Sequence, residues 1–116
     1  MPHFVFRNIP EEQVKDWSST LLPKIAKELA VPEHRVTFSY VESRSYFYGE
    51  DISGKTAFVE IHWVPRPTEK KVAVSKLVSH TMKEAGWENP ILFYHDFGPE
   101  TCWFQEDFLT KAPVIE

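Results

Sequence analysis

Two sets of residues in this sequence are of types that move protons or hold metals. The first is Pro2, which follows Met1 and leads into the apolar segment His3-Phe4-Val5-Phe6. Methionine aminopeptidases remove an initiator Met when the next side chain is small, and Pro qualifies. The mature chain would then begin with a prolyl secondary amine mounted on a β-strand. An α-amino group has an unperturbed pKa of about 7.7–8.0, closer to neutrality than any lysine. Burial or a neighbouring cation lowers it further, because both disfavour the ammonium form. A base that titrates near the working pH suits general acid–base catalysis. Met-Pro starts are common and most carry no chemistry, so the dipeptide needs support from the rest of the chain. The second set is Glu60, His62 and His95. A strand would place Glu60 and His62 on one face, and a neighbouring strand could bring His95 to the same side. Such a trio could ligate zinc or iron. The spacing is unspecific and hydrogen-bonded histidines are commoner than ligands, so neither a metal nor a cofactor is expected. His3, beside Pro2, could tune the amine, or be a plain strand-edge histidine.

The elements that must position these residues follow from patterning. His3 to Asn8 alternates, with Phe4 and Phe6 opposite His3, Val5 and Arg7, as a half-buried strand does. Pro10-Glu11-Glu12 reads as a helix start, with carboxylates where the helix dipole favours them. Val14, Trp17, Leu21, Ile25 and Leu29 then step by three or four to about Ala30. Pro23 interrupts that stripe and predicts a kink or break near Leu22, and Pro32 marks the helix end. Val36 to Glu42 is a second strand. Ser43 to Lys55 reads as a long hairpin or lid, with Tyr46, Phe47 and Tyr48 too apolar for a plain connection. Thr56 to Val64 is the strongest strand, setting Ala57, Val59, Ile61 and Trp63 opposite Phe58, Glu60 and His62. A second helix begins near Pro65–Glu69 with Thr68 as its N-cap, presents Val74, Leu77, Val78, Thr81, Met82 and Ala85, and stops at Gly86. Ile91 to Phe97 is a fourth strand. Cys102-Trp103-Phe104 is apolar again, ahead of a mostly polar tail.

The whole is a single domain, 1–116, of α+β class. Two β-α-β units lie side by side in a four-stranded mixed sheet with two helices on one face. The other face, carrying Tyr, Phe, Trp and His, would be uncovered in a monomer, so partner subunits are expected there. Composition is ordinary for a globular chain of 116 residues, with 42% hydrophobic and 26% charged residues. Net charge −4 argues against nucleic acid as a partner. No apolar run approaches a membrane span and no signal peptide is read, so a cytoplasmic protein is expected. With Cys102 alone, neither an internal disulfide nor a multi-Cys zinc site can form.

On these residues the chain resembles the tautomerase superfamily, which includes 4-oxalocrotonate tautomerase, 5-carboxymethyl-2-hydroxymuconate isomerase and macrophage migration inhibitory factor. Met1-Pro2-His3-Phe4 and Ala57-Phe58-Val59 resemble the isomerase. Leu29-Ala30-Val31-Pro32, running into the second strand, resembles the equivalent turn of all three. Ile91 through Trp103 is similar to the last strand and tail of the inhibitory factor. Phe58 to Val64 with Arg66, and Leu29 through Ser43, resemble signature stretches of a bacterial branch of the superfamily.

The resemblance implies a homotrimer in which Pro2 is the general base for a keto–enol or 1,3-allylic proton shift on a small oxo acid. A cation would hold the carboxylate or developing enolate. If a pseudo-twofold relates the halves, the first strand runs antiparallel to the third, and Pro2 lies near the start of strand two and the end of strand three. That favours Arg66 and then Arg35, and leaves Arg44 at the opposite end unless a neighbouring subunit contributes it. Trp63, Phe93 and Phe97 could wall the pocket, or serve only in packing. Two family residues have no match: the lysine before the turn proline is Val31 here, and an arginine early in strand two falls at Thr37. The alternative is a non-catalytic trimeric binding protein that kept the fold. A ferredoxin-like RNA-binding domain shares the element order, but Glu60 stands where its strand motif wants basic and small residues.

Overall fold

The computed structural model describes residues 2–98, 100–104 and 107–108. Met1 and most of the expected polar tail lie outside them. The first strand, β1 (His3–Arg7), buries Phe4 and Phe6 and leaves His3 exposed, as its alternation predicts. After it the chain forms α1 (Glu11–Thr20), α2 (Leu22–Leu29), a short 3₁₀ turn Glu33–Arg35, and β2 (Thr37–Val41). The second half repeats this order with β5 (Phe58–Trp63), α3 (Thr68–Glu84) and β6 (Ile91–Asp96). Between the halves, β3 (Tyr46–Phe47) and β4 (Glu50–Asp51) form the expected hairpin, and a last one joins β7 (Trp103–Phe104) to β8 (Asp107–Phe108).

The sheet order is β2-β1-β5-β6. β1 runs parallel to β2, β5 parallel to β6, and the two halves meet through the antiparallel β1–β5 pair. This is the arrangement a pseudo-twofold between the β-α-β units demands.

The expected first helix is two helices, so three α-helices rather than two are present among the described residues. Pro23 has no N–H to give the Ser19 carbonyl, and its ring crowds that carbonyl. The ladder therefore ends with Leu21 N–H on Trp17 O (2.8 Å) and restarts from Leu21 O, which accepts from Lys24 and Ile25 (3.0 and 3.1 Å). α2 stops before Pro32: Ala30 turns left-handed (φ 56°), and Val31 N–H closes onto Ala26 O at 3.0 Å. At α3 the expected N-cap shifts by one residue. Pro67 O is the first acceptor, for Lys70 and Lys71, and Thr68 is already helical. Gly86 ends α3 as predicted, at φ 101°, with Trp87 N–H on Met82 O at 3.1 Å.

All three helices cover one face of the sheet. Val14, Trp17, Leu21, Ile25 and Leu29 from α1–α2, and Val74, Val78 and Met82 from α3, pack with Phe4, Phe6, Val59, Ile61 and Trp63. Each such side chain contributes about 1.5–3 kcal/mol on burial. No helix among the described residues is long and apolar enough to cross a membrane.

The uncovered face differs from expectation. Trp63 is fully buried on the helix side, where Tyr94 packs against the core with its hydroxyl in a 2.6 Å hydrogen bond with Ser75 Oγ. Tyr40 falls on the helix side by register. The open face instead carries Phe58, Ile91 and Phe93 among His3, Arg7, Glu60, His62 and His95. Alternation separates two faces of a strand but does not say which of them the helices take.

Candidate functional site

Pro2 is fully buried, and its carbonyl accepts Thr37 N–H at 3.1 Å. It sits at the edge of β1 where three segments end. β2 begins beside it, preceded by Arg35. In the antiparallel register His3 faces His62, so one further step carries Pro2 opposite Trp63, the last residue of β5. Trp63 in turn faces Asp96 at the end of β6.

Trp63 is fixed from both sides. Its Nε1–H donates to Asp96 Oδ1 at 2.8 Å, and the Arg66 guanidinium lies over its ring, 4.9 Å from the centroid. Arg66 is buried (9% exposed), and its Nη1 donates to Val64 O at 3.1 Å. A guanidinium on an indole face gains cation–π attraction that grows as water is excluded. Lys71 bonds the second oxygen of Asp96 at 3.0 Å and adds a further cation at this end. Arg35 Nη1 is buried and has no hydrogen-bond partner among the described residues. An N–H left in that state costs about 1–3 kcal/mol, and an anion bound there would relieve it.

Of the residues singled out in the sequence, Pro2, Arg35, Arg66 and Trp63 therefore gather at one end of the sheet. Arg44 does not. It pairs with Asp51 (3.1 Å) beyond the other end of β1. There a cavity of about 380 Å³ is lined by Asn8, Tyr40, Arg44, Ser53 and Trp87, among others. Six residue-to-residue steps of extended chain separate Asn8 from Pro2, roughly 20 Å. Phe93 lies on the uncovered face, edge-on to Phe58 at 6.0 Å, and does not meet Pro2 within its own chain. Phe97 is anchored near the Pro2 end by its N–H on Trp63 O at 2.9 Å.

Sequence reasoning missed Asp96 and Asn8. Asp96 was legible only as the polar end of an apolar strand. Asn8 is buried with φ 64°, and its side chain joins Ser43 Oγ (2.8 Å), Ser45 Oγ (2.7 Å) and Thr56 O (2.8 Å). Asn is among the few residues that tolerate the left-handed region, so its place ahead of Pro10 was the available signal.

On the open face, His3, His62 and His95 stand level on β1, β5 and β6. The His62 and His95 rings stack at 4.6 Å, 11° from parallel. Glu60 Oε1 lies 3.5 Å from His62 Nε2, while its Oε2 accepts from Arg7 Nε at 2.9 Å. Burial pushes the Glu60 carboxyl up, but the hydrogen bond and charge of Arg7, helped by His62, outweigh it and hold the group below its ordinary value. His3 is held below the usual histidine value, first by burial, then by the chain's amino terminus and His62. Its Nδ1 contacts Thr37 Oγ1.

Comparison with known proteins agrees with this architecture. A family model described as a domain of unknown function, DUF1904, matches residues 1–107. No curated protein matches the sequence. Among solved structures, a DUF1904 domain from Sebaldella termitidis superposes with a TM-score of 0.86 at 21% identity, covering 93% of this chain and 99% of that one. A macrophage migration inhibitory factor-like protein from Entamoeba histolytica gives 0.72 at 18% identity, covering 92% and 97%. A fused 4-OT, described as an asymmetric trimer, gives 0.79 at 10% identity, covering 93% and 96%. The tautomerase-superfamily resemblance thus holds for the fold, with DUF1904 structures among its neighbours.

Proposed function

The chain belongs to the DUF1904 family, and from that premise we propose that it is a tautomerase whose base is Pro2 once Met1 has been removed. The observation that carries the reading is the convergence of Pro2, Arg35, Arg66 and the Trp63 indole at one end of the sheet. The shared fold supports it, since structures described as inhibitory-factor-like and 4-OT have the same architecture.

The reaction is a keto–enol or 1,3-allylic shift on a small oxo acid. The Pro2 nitrogen takes the proton from the enol oxygen or an allylic carbon and returns it to a second carbon. No electrons leave the substrate, and the amine ends as it began. Arg66, with Arg35 at the same end of the sheet, pairs the substrate carboxylate or the enolate oxygen, for which a planar guanidinium offers a bidentate fork. The apolar wall of Trp63 keeps the local dielectric low, so this electrostatic contribution exceeds its value in water. Phe93 and Arg44 would reach such a pocket only from neighbouring subunits of a homotrimer.

The test begins with the intact mass of protein from its native host, which should be short by one methionine. Ketonisation of a simple enol acid should then be catalysed, with kcat/KM at least 100-fold lower in Pro2→Ala. Arg66→Ala should act chiefly by raising KM. A retained Met1, or an unchanged rate in Pro2→Ala, would overturn the reading and leave a non-catalytic trimeric binding protein.

A further inference from the structure

We propose that Glu60, His62 and His95 form a zinc-binding site on the uncovered face of the sheet. Strand geometry builds it. Glu60 and His62 are two apart on β5, so both point away from the helices, and the parallel register sets His95 of β6 directly across from His62. One ligand atom from each residue lies within 4.8 Å of the other two. Zinc bound at about 2.0–2.2 Å keeps its ligand atoms roughly 3.3–3.5 Å apart in a tetrahedron. The Glu60 Oε1 to His62 Nε2 separation, 3.5 Å, already matches that spacing. Only His95 must close in. It is exposed and stacked on His62, so its ring is the one with room to turn toward the other two.

A neighbouring hydrogen bond also fits the donor set. Arg7 holds the far oxygen of Glu60, the outer-sphere bond that orients a ligating carboxylate. Two imidazoles and one carboxylate leave a fourth position on zinc for water or a bound anion. The Arg7 charge offsets that of Glu60, so affinity should be micromolar rather than that of a closed structural site.

The site lies on the opposite face from the buried Pro2 side chain, the face where partner subunits are expected, and its readout uses no activity, so its failure and the failure of the tautomerase reading are distinguishable. Untagged, chelator-stripped protein is titrated with Zn²⁺ by calorimetry, and with Co²⁺ by visible absorption. One ion per chain should bind, with d–d bands of a histidine–carboxylate site. Glu60→Gln and His95→Ala should each weaken binding at least tenfold, while His80→Ala on α3 should leave it unchanged. Circular dichroism shows whether each variant folds, and the near-isosteric Glu60→Gln keeps the test open if His95→Ala does not. Absence of saturable binding, or equal affinity in all three variants (an adventitious ion only), would overturn the proposal.

Discussion

Glu60 shows how one side chain on this sheet serves both charge balance and geometry. Its carboxyl sits below its ordinary value because Arg7 and His62 together outweigh the burial that pushes it up. A depressed folded-state pKa contributes stability above the unfolded value, about 4.3, and that contribution is lost as pH falls through the folded value. Wild-type protein should therefore lose thermal stability more steeply than Glu60→Gln as the pH falls below about 4.3. Partly exposed pairs contribute at most about 1 kcal/mol, so the gap should be no more than about 4 °C. Melting curves at stepped pH decide it, and superimposable slopes would contradict the assignment. Arg35 and Arg66 illustrate a different residue-scale point. Both were legible as cations near Pro2, but nothing in their sequence neighbourhood separates a buried guanidinium from a solvated one.

The break between α1 and α2 is an element-scale device. Pro23 falls within the first turn of α2, where its missing N–H would have had no intrahelical partner. The apolar stripe continues across the break, so Leu21 and Ile25 stay in one core with Trp17. Pro23→Ala should consequently change stability by less than about 1 kcal/mol, whereas Ala26→Pro inside α2 should cost about 3 kcal/mol or more. Chemical denaturation of both variants measures the contrast, and a large loss in Pro23→Ala would mean the break itself is required for packing. The two halves are tied by paired helices: Lys70 of α3 donates to Glu28 O of α2 at 2.8 Å, and Trp87 Nε1–H reaches Gln13 Oε1 at 2.9 Å.

At the scale of the molecule, helices shield one side of the sheet and leave the other to solvent or to other subunits. Phe93 and Ile91 stand 49% and 46% exposed there, beside Phe58 and Val5. Large exposed apolar side chains grouped on one face mark an association surface. Light scattering should give a mass of three chains, and Phe93→Glu should yield a smaller species with unchanged circular dichroism. A monomeric wild type would refute this. Such an assembly would also bring the exposed Tyr46, Phe47 and Tyr48 of the β3–β4 hairpin within reach of neighbours.

What the sequence determined by itself is local. Alternation at Phe4 and Phe6 and at Val59, Ile61 and Trp63, the three-or-four stepping from Val14 to Leu29, and the stops at Pro23 and Gly86 announce the elements. Those periodicities and backbone restrictions act between near neighbours in the chain. The reading of Pro2 is local for the same reason, since it uses only the residue type and its neighbour Met1. The tertiary structure decided which residues meet. Strand register brings His3, His62 and His95 level from three distant segments, and gathers Pro2, Arg35, Arg66 and Trp63 while sending Arg44 to the far end. It also decided which face the helices cover, and so put Trp63 and Tyr94 inside and Phe93 outside. Register and layering are set by the packing of the whole core, a many-body balance that no single segment of sequence contains.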